Sequence, residues 1–258
     1  MNILFLGDVV AESGRDTVVN TLATIKQQYE IDFTIVNAEN SAHGKGITQK
    51  IYQELINAGA DVITLGNHAF AKKEIICAFD QCPFMIRPAN MEPLDVGNSV
   101  IIREIDNLHI AVINLLGNVF MMPSTTGPIE VMEELLKEID VDIIIVDLHG
   151  EATSEKILFA EYFADKVTAI FGTHTHVQTA DERIIRGCSF ITDVGMCGPY
   201  DSVLGRDTGE LISHVIKHQP TVYMPAKGPC IISGCVVKVD ETSCRAVSIE
   251  RIKIFPNA

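Results

Sequence analysis

Apolar residues fall into two repeating patterns from the start of this chain. Residues 2–6 (NILFL) form an unbroken apolar run that stops at Gly7-Asp8, as a core strand does. Behind it, Val18, Val19, Leu22, Ile25 and Tyr29 recur at helical spacing, and Ser13-Gly14-Arg15-Asp16 supplies a helix start with Ser13 as the expected cap. Residues 32–37 (DFTIVN) predict a second strand. Thr48 predicts the cap of a helix carrying Ile51, Leu55 and Ile56, which Gly59 ends. Residues 61–65 (DVITL) predict a third strand, and a short helix follows over 72–79.

The pattern then changes. Apolar runs at 99–104 and 109–115 meet through Asp106-Asn107, which predicts a hairpin. A helix near 128–138 leads to 141–147 (VDIIIVD), whose lack of alternation predicts burial on both faces. A helix near 153–164 precedes a strand at 167–171. Strands near 189–192, 229–239 and 245–255, with a helix near 208–218, complete the chain. No internal repeat or low-complexity tract interrupts it. The expected fold class is α/β, one domain over 1–258 with two stacked mixed sheets.

Five of these strand ends carry polar groups. Asp8 follows the first, Asn37-Ala38-Glu39-Asn40 the second, and Gly66-Asn67-His68 the third. Asp147-Leu148-His149-Gly150 follows the long buried run, and Gly172-Thr173-His174-Thr175-His176 the next. Ligands of open α/β sheets collect beyond the carboxyl ends of the strands. Any one of these residues has an ordinary reading as a turn, cap or satisfied core side chain. Five at equivalent places predict a cluster. Three imidazoles, two carboxylates and one or two amides suit Mn, Fe or Zn, and six or seven donors exceed what one catalytic ion takes. Two ions sharing a carboxylate, about 3.5–4 Å apart, fit the count. His174 and His176, two apart in extended chain, would then each face a different ion.

Bulk properties narrow the partners. The 20 basic and 34 acidic residues give a net charge of −14, which argues against an extended nucleic-acid groove or an anionic membrane surface. A small phosphate ester is still compatible, because bound cations supply positive charge locally. No apolar run approaches a membrane span, and MNILFLGDVV lacks a basic leader, so a cytoplasmic protein is expected. Seven cysteines without CxxC spacing read as reduced thiols.

GD at 7–8, NAEN at 37–40, GNH at 66–68, LHG at 148–150 and GTHTH at 172–176 resemble, in this order, the motifs of the calcineurin-like metallophosphoesterases. The chain departs from the usual motifs where Val10 replaces a histidine, Glu39 replaces the bridging aspartate, and Ala69 follows Asn67-His68. These departures, with DVGMCGPYDSVLGRD at 193–207, resemble the YmdB-like branch along essentially the whole chain. The resemblance implies a four-layer αββα sandwich, two divalent or mixed-valence metal ions, and phosphodiesterase activity on cyclic nucleotides, notably 2′,3′-cyclic ones. Carried over by position, Asp8, Asn40 and His176 would hold one ion, and Asn67, His149 and His174 the other. Glu39 would bridge them, with Asn40 filling the gap left by Val10.

The mechanism expected is in-line attack by a hydroxide shared between the ions, with His68 protonating the departing ribose oxygen. His43, in SAHGKGIT, is either a substrate contact or an exposed loop histidine; Asp193-Val194-Gly195-Met196 is assigned to the pocket wall by resemblance alone. The loop 117–128 reads as a rim or lid, with simple packing as the alternative. His214 and His218 share an i, i+4 spacing with no third ligand in view, and His109 opens a hairpin strand. Two other functions compete: a phosphomonoesterase or amidohydrolase with a dimetal site, and a regulatory protein that binds metal or nucleotide without catalysis. The subunit number is left open, with a homo-oligomer among the options.

Overall fold

The computed structural model describes residues 1–121 and 126–255. The first half runs β1 (Asn2–Leu6), β2 (Asp8–Val9), α1 (Ala11–Gln28), β3 (Phe33–Asn37), α2 (Gln49–Ala58), β4 (Val62–Thr64) and α3 (Lys73–Ala78). The middle runs β5 (Val100–Ile105), β6 (Leu108–Leu116), α4 (Pro128–Glu138), β7 (Ile143–His149), α5 (Thr153–Phe163) and β8 (Ala169–Thr173). The last part runs β9 (Arg183–Ile185), β10 (Cys188–Ile191), β11 (Met196–Pro199), α6 (Thr208–Leu211), β12 (Cys230–Asp240) and β13 (Arg245–Ile254).

The first sheet has the order β2-β11-β12-β1-β3-β4 with β13 on β12, and the second the order β5-β6-β7-β8-β10-β9. Strands β1, β3 and β4 are parallel, as are β6, β7, β8 and β10. Every residue of β3, β7 and β8 is buried, which is why their sequences show no alternation. Ile3, Phe5 and Ile35 of one sheet pack against Val112, Ile145 and Phe171 of the other. Phe5 and Phe171 stack with centroids 4.5 Å apart. The outer face of the first sheet is covered by α1 and α2, through Val18, Leu22 and Leu55. The outer face of the second is covered by α4 and α5, through Met132, Phe159 and Phe163. Each such buried side chain contributes about 1.5–3 kcal/mol. The result is the four-layer αββα sandwich.

Local chemistry explains the ends of the elements. Thr48 Oγ1 accepts from the Ile51 amide at 3.3 Å, and Gly59 closes α2 at φ 113°. Asp106 and Asn107, both at positive φ, turn the β5–β6 hairpin. Ser13 is not the cap of α1. The helix starts at Ala11 behind Val10, and Ser13 Oγ instead donates to the Ala226 carbonyl. The helix expected over 208–218 is a single turn, α6, continued as a π-turn over 212–216. Strands β2, β9 and β11 were not expected. Residues 122–125 of the expected rim lie outside the described residues. No described helix is long and apolar enough to cross a membrane.

Candidate metal centre

Strand ends from both sheets meet at one edge of the sandwich. β1 leads into Asp8, β3 into Glu39 and Asn40, and β4 into Asn67 and His68, while β7 ends at His149 and β8 leads into His174 and His176. Register makes this possible. Asn37 lies level with Thr64 in one sheet, and His149 level with Thr173 in the other.

The side chains form two neighbouring groups. In the first, His149 Nε2 lies 3.0 Å from each of Glu39 Oε1, Asn67 Oδ1 and His174 Nδ1. In the second, His176 Nε2 lies 3.2 Å from Asn40 Oδ1 and 3.9 Å from Asp8 Oδ1. Asp8 Oδ1 is also 3.9 Å from His149 Nδ1, so this carboxylate stands between the groups. All seven expected ligands therefore converge. Gly66 makes the approach possible, since a Cβ there would lie 2.2 Å from Glu39 Oε2 and 2.5 Å from His149 Nε2.

The donor set fits cations. Asp8 Oδ1 is fully buried and has no hydrogen-bond partner. One imidazole nitrogen, His149 Nε2, faces a carboxylate oxygen, an amide oxygen and a second imidazole nitrogen, and it carries at most one proton to satisfy them. Lone pairs crowded in this way are costly unless positive charge sits among them. Oxygen and nitrogen donors without thiolate suit divalent Mn, Fe or Zn.

The electrostatics agree. Burial pushes Asp8 above its usual carboxylate range, against the pull of His176 and His149. Burial would also raise Glu39, but His149 and the His68 amide outweigh it and hold Glu39 at about 2. Burial lowers His149, but Glu39, Asp8 and Asp147 overcome it and lift His149 to about 9. His174 falls to about 4 through burial and the adjacent His149. A single proton on His149 thus does part of the neutralising that a bound cation would do completely.

Behind these groups stands a support in which only Asp193, expected in the pocket wall, is legible in the sequence. The outer nitrogens of His174 and His176 meet Glu151 Oε2 at 3.2 Å and the Leu204 carbonyl at 3.0 Å. His174 and His176 have φ of 101° and 65°, conformations that cost about 1–3 kcal/mol each and need their surroundings to hold them. Asp193 Oδ2 accepts from the Thr175 amide at 2.9 Å, and Asp8 Oδ2 from the His174 amide at 3.2 Å. Lys156 is buried beneath this loop and donates to the Thr173 carbonyl at 2.7 Å and to Asp193 at 3.1 Å. Asp193 and Leu204 lie in the 193–207 stretch, whereas Glu151 and Lys156 belong to no motif. A lysine on the buried stripe of α5, beside Phe159 and Phe163, was the one available signal for these two.

The remaining candidates are spread out. The His68 amide donates to Glu39 Oε2 at 3.0 Å, and its half-buried ring adjoins Asn67, with Nδ1 3.5 Å from Asn67 Nδ2. Burial lowers the His68 pKa against the opposing pull of Glu39. His43 is exposed and lines a 610 Å³ cavity with Glu12, Asp16 and Lys227. Gly195 and Met196 are buried behind Asp8: the Gly195 carbonyl accepts the Asp8 amide at 3.1 Å, and Met196 pairs with Asp8 across β11 and β2. Val10 packs against Met196 and Ile231, so the motif-one position serves the core. His109 pairs with Asp142 at 3.5 Å on the surface. His214 lies in the π-turn, and His218 lies beyond it at φ 52°, so the two do not share a regular helical face.

Known proteins share this arrangement of the chain. The profile of the family described as YmdB-like protein matches residues 4–252. The chain is 44% identical to the 2′,3′-cyclic-nucleotide 2′-phosphodiesterase of Bacillus subtilis (strain 168), over 98% of this chain and 97% of that protein. It superposes on the crystal structure of a Mycoplasma pneumoniae phosphatase with a TM-score of 0.94 and 37% identity, covering 100% of this chain and 94% of the other. The 5′-nucleotidase precursor from Thermus thermophilus, at 11% identity and a TM-score of 0.60 over 99% of this chain and 54% of that one, shares the fold.

Proposed function

The chain belongs to the YmdB-like family of metallophosphoesterases, and from that premise we propose that it is a dinuclear metal-dependent phosphodiesterase that opens 2′,3′-cyclic nucleotides. The observation that carries the reading is the set of seven buried or half-buried donors at one sheet edge, with His149 Nε2 3.0 Å from three of them. Asp8, Asn40 and His176 would hold one cation, Asn67, His149 and His174 the other, and Glu39 would be shared. The metals are Fe or Mn, with Zn as the alternative. When bound, they supply Lewis acidity to a water and positive charge against the non-bridging phosphate oxygens.

The chain's own residues do the rest. Glu39 is fixed by the His68 amide and by His149, and Asp8 stands between the two groups. Asp8 is aligned by the amide of His174 and the carbonyl of Gly195 behind it. His68 stands beside Asn67 and is not among the seven proposed ligands, and its ring gives a proton to the ribose oxygen as the ester bond breaks. A small diester also suits a chain of net charge −14, which would repel an extended polyanion.

A substrate panel on the metal-loaded protein tests this. Opening of 2′,3′-cyclic AMP to a monophosphate, with bis-para-nitrophenyl phosphate cleaved much faster than para-nitrophenyl phosphate, is the expected result. The reverse preference would make it a phosphomonoesterase. A metal-loaded protein inert toward every diester yet holding nucleotide would make it a regulator.

A further inference from the structure

The ring of His149 is held from behind by two residues of the same strand ends that are not among the seven proposed ligands. His149 Nδ1 lies 2.9 Å from Thr173 Oγ1, and Thr173 Oγ1 lies 2.7 Å from Asp147 Oδ1. All three residues have no exposed surface. Asp147 Oδ2 accepts from Asn37 Nδ2 at 2.9 Å and from Thr64 Oγ1 at 2.6 Å. The Asn37 amide cannot be turned round, because its Oδ1 accepts the Glu39 amide at 3.2 Å. Every neighbour of Asp147 is thus a donor, and a carboxylate so surrounded takes the Thr173 proton as well. A threonine hydroxyl has one proton to give. Once it goes to Asp147, only lone pairs remain to meet His149 Nδ1.

We propose that Asp147 and Thr173 are positioning residues that lock His149 with its proton on Nδ1, leaving the Nε2 lone pair aimed at the cation site. The inference rests on the metal-centre reading above. An imidazole ligand must present a bare nitrogen, and the partner of its other nitrogen decides which one that is. Here the partner is a hydroxyl, whose own direction is set one step further back by a carboxylate. Strand register places the relay, since β7 supplies Asp147 and His149 and β8 supplies Thr173 opposite His149.

Three substitutions separate this relay from simple packing. Thr173→Val keeps the shape and removes the hydroxyl, whereas Thr173→Ser keeps the hydroxyl. Asp147→Asn is sharper. Asn37 still donates on the far side, so the new amide must turn its NH2 toward Thr173. Thr173 then accepts there and donates to His149 Nδ1, which drives the ring proton onto Nε2. The isosteric Asp147→Asn change should therefore weaken metal binding more than deletion of the hydroxyl does.

The test titrates Zn²⁺ into metal-stripped wild type and variants, and reads the His149 ring nitrogens by ¹⁵N NMR in the zinc-loaded proteins. Expected are an exchange-protected Nδ1–H in wild type and T173S, zinc affinity lower by about 10- to 100-fold in T173V, and a larger loss in D147N. Native zinc affinity and an unchanged Nδ1–H in T173V and D147N, with zinc lost from His149→Ala, would overturn the relay and leave the metal reading standing. Undiminished zinc binding by His149→Ala would overturn both. Folding of T173S, which keeps every partner, guards against reading misfolding as the effect.

Discussion

Glu39 Oε1 and His149 Nε2 lie 3.0 Å apart, although Glu39 follows β3 of one sheet and His149 ends β7 of the other. The contact therefore depends on how the two sheets stack, and the Phe5–Phe171 pair is part of the packing between them. Removing the Glu39 charge should act on the metal before it acts on the reaction.

Glu39→Gln is expected to bind metal at least about 100-fold more weakly, since even outer partners of metal ligands are worth about 10- to 100-fold. His68→Ala is expected to keep its metal, because the bond to Glu39 comes from the backbone amide, and to lose about 10²–10⁴-fold in kcat. Metal analysis beside a rate assay distinguishes the two. Normal hydrolysis by both variants would remove these roles.

Gly66→Ala should behave like a ligand mutation although it removes no donor atom. Its Cβ would meet Glu39 Oε2 at 2.2 Å and His149 Nε2 at 2.5 Å, both buried and unable to retreat. The expected outcome is at least about a tenfold loss of metal affinity with an unchanged circular-dichroism spectrum. Native affinity would show that the donors are looser than their distances imply.

Acid should loosen the segment that backs His176. Arg206 holds Glu210 through bonds of 2.6 and 2.8 Å, and Leu204 in the same segment offers its carbonyl to His176 Nδ1. The bond from Arg206, aided by Thr221, lowers Glu210 from its ordinary 4.5 to about 2. A depressed carboxylate stabilises the fold above its unfolded pKa, and that contribution is lost as pH falls through the folded one. The Tm difference between wild type and Glu210→Gln should be full above pH 4.5 and shrink as pH falls toward 2. A difference independent of pH would contradict this.

Thiol chemistry reads the sealing of the strand behind Asp8. Cys197 lies in β11, paired with Val9, and burial pushes it and Cys188 up to about 12, whereas Cys77 is exposed. Iodoacetamide at about pH 8 should modify Cys77 and spare Cys188 and Cys197 in the native protein. Labelling of Cys197 as fast as Cys77 would mean that β11 opens.

Where one hydrophobic pattern ran unbroken, the sequence was enough. The apolar runs of β1, β3, β7 and β8 and the polar groups at their ends, with the end of β4, marked the segments that carry the seven proposed metal donors, and the family resemblance picked the donors out of those segments. What escaped it had no period. β2 has two residues, and β11 contains Gly198 and Pro199, which read locally as a turn. α1 begins behind an apolar cap, because the Ala11 amide donates to the Asn40 carbonyl and Ser13 is drawn to Ala226. Asp147, Thr173 and Lys156 looked like ordinary strand or helix residues, since their partners are 17–110 residues away. Such bonds exist only once the sheets are stacked.

The central claim is that this site works through two cations. Metal-stripped protein titrated anaerobically with Mn²⁺ or Fe²⁺, with 2′,3′-cyclic AMP hydrolysis followed at each addition, tests it most directly. Activity should be absent at the start and level off at two equivalents per chain. Full activity in the stripped protein, or no metal uptake at all, would contradict the account.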